Sequence, residues 1–121
     1  MKKNVANDDD VLQRTPRNQV SLVGRVSSTP VERELPSGDF VVEFRVVIDR
    51  GENSARVVKK GKREVDTLDL AAWSARTRKQ ALKISVDDWV EVEGAVRRRF
   101  WQAPTGLASR WQVEVSALKR L

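Results

Sequence analysis

The chain has 121 residues, enough for one hydrophobic core and too few for two. Hydrophobic residues make up 40% of it and charged residues 33%, the balance of a folded globular domain rather than a disordered chain. It contains no cysteine and no histidine, which excludes disulfides, thiolate nucleophiles, imidazole bases and the usual zinc ligands, and its net charge of +6 favours a polyanionic partner, nucleic acid before an anionic membrane surface.

Residues 1–17 are polar, carry both charge signs and end in Thr15-Pro16-Arg17, so they read as a flexible extension ahead of a single domain over residues 18–121. Lys2 and Lys3 are followed by Asp8, Asp9 and Asp10 rather than by an apolar segment, which argues against a secretory leader. No run reaches the roughly 18 apolar residues that a membrane span needs. The protein is therefore expected to be soluble and cytoplasmic, without a membrane partner. The domain keeps 19 basic against 14 acidic residues, so most of the excess charge belongs to it.

Asn18 to Ser28 alternates, with Val20, Leu22, Gly24 and Val26 on one side, and predicts a half-buried strand that Gly24 allows to bend. Leu35-Pro36-Ser37-Gly38-Asp39 is a turn, and Phe40, Val42, Phe44, Val46 and Ile48 form the apolar side of a long second strand. Arg50 to Arg63 loses that pattern and reads as a mobile basic loop containing Lys59, Lys60, Lys62 and Arg63. Alternation resumes from Glu64 to Trp73 as a third strand. Ser74 then caps a short helix to about Ser85, with Leu82 as its apolar anchor.

A fourth strand runs from Asp88 to Trp101 with Val90, Val92, Gly94 and Val96 facing inward. Ala103-Pro104-Thr105-Gly106 makes the next turn, and Arg110 to Leu118 supplies a fifth strand through Trp111, Val113, Val115 and Ala117. The expected fold is all-β: a five-stranded OB-fold barrel with one short helix between strands three and four, an architecture that binds oligonucleotides.

The segment Asn18-Gln19-Val20-Ser21-Leu22-Val23-Gly24-Arg25-Val26 resembles the opening strand of bacterial single-stranded DNA-binding proteins. Pro30-Val31-Glu32-Arg33, Leu35-Pro36-Ser37-Gly38, the Phe44-containing strand, Val90-Glu91-Val92-Glu93-Gly94 and Arg97 to Trp101 follow in the order of that family, over about residues 18–117. The resemblance implies an OB barrel, homo-oligomerisation (a tetramer rather than a dimer) and sequence-tolerant binding of single-stranded DNA in replication, recombination or repair. It departs from the family pattern at Thr67 and Leu68, where a Trp-His pair is usual, and at Asp69, where a basic residue is common and Arg45 is the nearest candidate to neutralise the carboxylate. The sequence stops at Lys119-Arg120-Leu121 without the acidic tail that recruits repair proteins, so that recruitment is not expected.

Single strands are held by cations that follow the phosphates and by aromatic faces on which bases stack. Arg97, Arg99 and Trp101 alternate onto one face of the fourth strand, and Trp73 ends a polar face of the third. With Trp101 and Trp73 matching family aromatics that contact DNA, the candidate site is Trp73, Trp101, Arg97, Arg99, Arg45 and Arg25, together with the loop residues Lys59, Lys60, Lys62 and Arg63. Trp89, Trp111, Phe40 and Phe44 are expected to be structural. No cofactor, metal or catalytic residue is expected: Asp66 and Asp69, the carboxylates that a metal-dependent nuclease would use, point to opposite faces of their strand. The alternatives are an OB protein of the replication-restart type, an RNA binder, and a structural subunit that tunes a tailed paralogue.

Overall fold

The computed structural model describes residues 14–51 and 64–121. Among them, six strands and one helix follow in the order β1 (Val20–Val26), β2 (Val31–Glu34), β3 (Phe40–Asp49), β4 (Val65–Ala72), α1 (Ala75–Ala81), β5 (Trp89–Ala103) and β6 (Gly106–Arg120). β1 pairs antiparallel with β5, β5 with β6, and β4 with β3, while β6 meets β4 in parallel at Val113–Leu70 and Glu114–Ala71. β3 returns to β1 through Val47–Arg25 and Val46–Val26, which closes the circuit into a barrel of five strands. β2 lies outside that ring, as the free arm of a hairpin on β3. Its four residues are all exposed, so they carry no alternation from which a strand can be read.

Alternation fills the barrel. Val26, Val42, Phe44, Val46, Leu70, Ala72, Val90, Val92, Val113 and Val115 form one buried cluster, each full burial of a Val, Leu or Phe contributing about 1.5–3 kcal/mol. α1 packs on it through Ala81 and the following Ile84. The Ser74 hydroxyl accepts from the Thr77 N–H at 3.1 Å and caps the helix. Leu82 is not the anchor that the sequence suggests, because the helix ends there and leaves it 49% exposed. Phe40 also leaves the core: it starts β3 outside the cluster and lies under the Arg78 guanidinium, 5.5 Å from its ring centre.

Two glycines allow the strands to approach. A Cβ on Gly24 would stand 2.6 Å from the Val47 carbonyl oxygen, and one on Gly94 would stand 2.1 Å from that of Glu114. At Gly94 the β5–β6 register also shifts, leaving Ser116 as an extra residue whose hydroxyl donates to the Glu93 carbonyl. β1 pairs with β5 only as far as Gly94, beyond which the Asn18 amide both donates to and accepts from the Val96 backbone, at 2.7 and 2.9 Å. From there β5 and β6 run on as a hairpin arm that ends in the expected turn between Ala103 and Gly106.

Candidate nucleic-acid interface

Directly opposed residues of a β-pair share a face. On the arm, Arg97 faces Gln112, Arg99 faces Arg110, and Trp101 faces Ala108. These side chains continue the outer face of the barrel, because Glu114 of the same face lies opposite Ala71, Ala71 opposite Glu43, and Asp69 opposite Arg45. Arg97, Arg99 and Trp101 are thus on one face, as alternation predicts. Val96 keeps the inward-facing side that alternation predicts, opposite buried Val113, but is exposed because the barrel ends there.

Trp73, just after β4, is half-buried, and the Arg99 guanidinium sits 4.9 Å from its ring centre. Trp101, 41% exposed, has Arg110 at 6.0 Å. Three hollows connect these platforms. The first, of about 300 Å³, is lined by Ala71, Trp73, Arg97, Arg99, Gln112 and Glu114. It shares Arg99 and Gln112 with a second of about 380 Å³ that holds Trp101, Arg33 and Glu43. Arg110 and Glu43 then lead to a third, of about 260 Å³, where Arg45 and Asp69 stand. The result is an open track along the outer face, floored by β-strand and walled by arginine and tryptophan.

The charges on the track are unevenly paired. Arg97 Nε donates to Glu114 at 3.0 Å, Arg45 Nε donates to Asp69 at 2.8 Å, and Arg33 pairs with Glu43. Among the described residues Arg99 and Arg110 have no acidic partner, although they stand opposite one another, where like charges repel. Two unneutralised guanidiniums, each over an indole, are what an anionic chain of flat bases requires. The Arg45–Asp69 pair forms as the sequence suggests, so Asp69 presents no bare carboxylate to a phosphate.

The remaining candidates lie elsewhere. Arg25 is on the outer face of β1 and lines none of the three hollows; its Nη1 donates to Asp87 at 2.7 Å. Lys59, Lys60, Lys62 and Arg63 lie outside the described residues. Asp66 and Asp69 engage Arg50 and Arg45 respectively, each at 2.8 Å. Trp89 and Trp111 are 53% and 61% exposed, so neither is buried in the core of the single chain. Trp111 lies on the reverse face of the arm, where the Arg98 guanidinium sits between it and Phe100 at 5.6 and 5.1 Å. Sequence reasoning missed Arg33, Arg110 and Gln112. The 103–106 turn alone would have found two of them, since folding the hairpin about it sets Arg110 against Arg99 and Gln112 against Arg97.

The sequence model of the single-strand binding protein family matches residues 17–120. The chain belongs to that family. Among curated family members, the single-stranded DNA-binding protein of Clostridium tetani (strain Massachusetts / E88) is 29% identical over 101 residues, 83% of this chain and 66% of the relative. That of Oceanobacillus iheyensis is 27% identical over 89 residues, 74% of this chain and 53% of the relative. The chain spans between about half and two-thirds of the length of these relatives. Among solved structures, the Plasmodium falciparum SSB complex with ssDNA superposes with a TM-score of 0.71 at 19% identity, over 89% of this chain and 97% of that one, which establishes the shared OB fold.

Proposed function

We propose that residues 18–121 form a binding domain that holds single-stranded DNA along the outer track, with no strong dependence on sequence and no catalytic step. The observation that carries this reading is the pair of indole platforms, Trp73 under Arg99 and Trp101 under Arg110, joined by hollows in which every carboxylate is matched to a cation or amide while, among the described residues, those two guanidiniums have no acidic partner. Bases stack on the indoles, each worth roughly 1–3 kcal/mol, and phosphates pass beside Arg97, Arg99, Arg110 and Arg45. Lys59, Lys60, Lys62 and Arg63, together with Arg25, extend the basic surface in this proposal. The matches to single-stranded DNA-binding proteins support the same partner.

A homo-oligomer, a tetramer rather than a dimer, is part of the proposal, as is a cytoplasmic, nucleoid-associated location. Val23 on β1 and Trp89 on β5 are both exposed on the outer surface away from the track, interleaved with Glu91 and Arg25, and supply apolar contacts for self-association in this proposal. Among the described residues no helix is long and apolar enough to cross a membrane.

Titration with oligo-dT, followed by tryptophan fluorescence, tests the reading. Strong quenching by the single strand, weak response to a duplex, and a log–log salt slope of about −0.7 per phosphate contact are expected. No quenching at low salt would remove direct binding and leave a partner-dependent subunit.

A further inference from the structure

Gln112 forms the polar floor between the two indole platforms. It is 6% exposed and lines both the hollow that holds Trp73 and the hollow that holds Trp101. Its Nε2 donates to Glu43 Oε2 at 2.7 Å, while the other oxygen of Glu43 pairs with Arg33. The carboxylate accepts only, so the amide cannot turn over without setting oxygen against oxygen. Its orientation is therefore fixed. The second amide atom, Oε1, accepts no hydrogen bond from the described residues and is not among the fully buried atoms left without a partner, while Gln112 lines both hollows.

We infer that Gln112 Oε1 reads the edge of a stacked base and favours bases that carry an exocyclic amino group, an inference that rests on the proposed DNA track. A fixed, nearly buried acceptor meets an amino group as a donor. Against uracil or thymine it meets the C4 carbonyl, acceptor against acceptor, and can reach only an N3–H recessed between two carbonyls. Cytosine places its 4-amino group where those bases place that oxygen. Glu43 has the supporting role: it touches no base but holds the acceptor outward. The selectivity is a modest bias laid over stacking and phosphate binding, which every base satisfies.

Oligo-dC and oligo-dU of about eight nucleotides, within the site size of one OB fold, separate the hydrogen bond from stacking and from the thymine methyl. The wild-type protein should bind oligo-dC about three- to ten-fold more tightly than oligo-dU, the worth of one hydrogen bond. Gln112→Met keeps the stem and removes the acceptor, and should bring that ratio to one by weakening oligo-dC binding. Glu43→Gln leaves the acceptor but frees the amide to turn, and should lower the ratio by strengthening oligo-dU binding more than oligo-dC binding. Equal binding of both strands by the wild-type protein, or a preference that survives Gln112→Met, overturns the inference and leaves the DNA track standing. Binding of neither strand overturns both.

Discussion

Glu114 decides how much of Arg97 a phosphate can use. The pair is exposed on both sides, so it is worth at most about 1 kcal/mol, and a DNA phosphate competes directly for the guanidinium. Glu114→Gln should therefore tighten single-strand binding by up to about five-fold at low salt, an advantage that fades as salt rises and that paired salt titrations will show. Trp101 and Trp73 should separate in the same assay. Trp101→Ala should lose about 1–3 kcal/mol of binding with little change in melting temperature, because the ring is open to solvent. Trp73→Ala should lose binding and stability together, since Trp73 is half-buried and its ring lies under the Arg99 guanidinium. At this scale the sequence showed the indoles and the Arg45–Asp69 pair, which follow from strand alternation. It did not show Gln112, because a glutamine between Trp111 and Val113 has no signature until the opposing strand places Glu43 beside it.

Elements were legible where a strand separates core from solvent, and illegible where it does not. β1 and most of β3 alternate between a wetter and a drier side, so period two locates them, although Val41 on β3 and Ala71 on β4 are buried on the outer side as well. β2 has two wet faces, and so does the arm of β5 and β6. There Val96 and Trp111 stay on the inward-facing side of their strands yet are exposed, because no barrel remains inside. The Ser116 bulge adds a second break: β6 buries Val113 and Val115, then Leu118 rather than Ala117. Gly94 sits at this junction with Glu114 backbone in the space of its missing side chain. Gly94→Ala should cost at least about 3 kcal/mol in urea unfolding, since a carbonyl in a paired strand cannot yield as a side-chain tip can. Ser74→Ala should cost only about 1 kcal/mol, the worth of one helix cap.

For the whole molecule, the absence of histidine, cysteine and tyrosine removes the side chains that ordinarily titrate between about pH 6 and 9. Hydrogen bonding to Asp66, and its charge, raise the Arg50 guanidinium above its ordinary value. A raised cation contributes its stability in full below its unfolded pKa and loses it only in strong alkali, so it brings nothing into the neutral window. Single-strand affinity should accordingly be flat from about pH 6 to 9, which fluorescence titrations across buffers will check.

The ring of strands is built from two ribbons, β1-β5-β6 and β2-β3-β4, that touch through short seams. Arg25 and Val26 meet Val47 and Val46 at one, and Val113 and Glu114 meet Leu70 and Ala71 at the other. Each ribbon is held by long ladders of paired residues, whereas each seam is only two residue pairs long. Amide protons within a ribbon should exchange together, and those at the seams sooner than either, so that the barrel breathes as two hinged sheets. The Val113–Glu114 seam follows directly on Gln112, and a partner that bridges β4 and the arm would clasp the two sheets and slow that exchange.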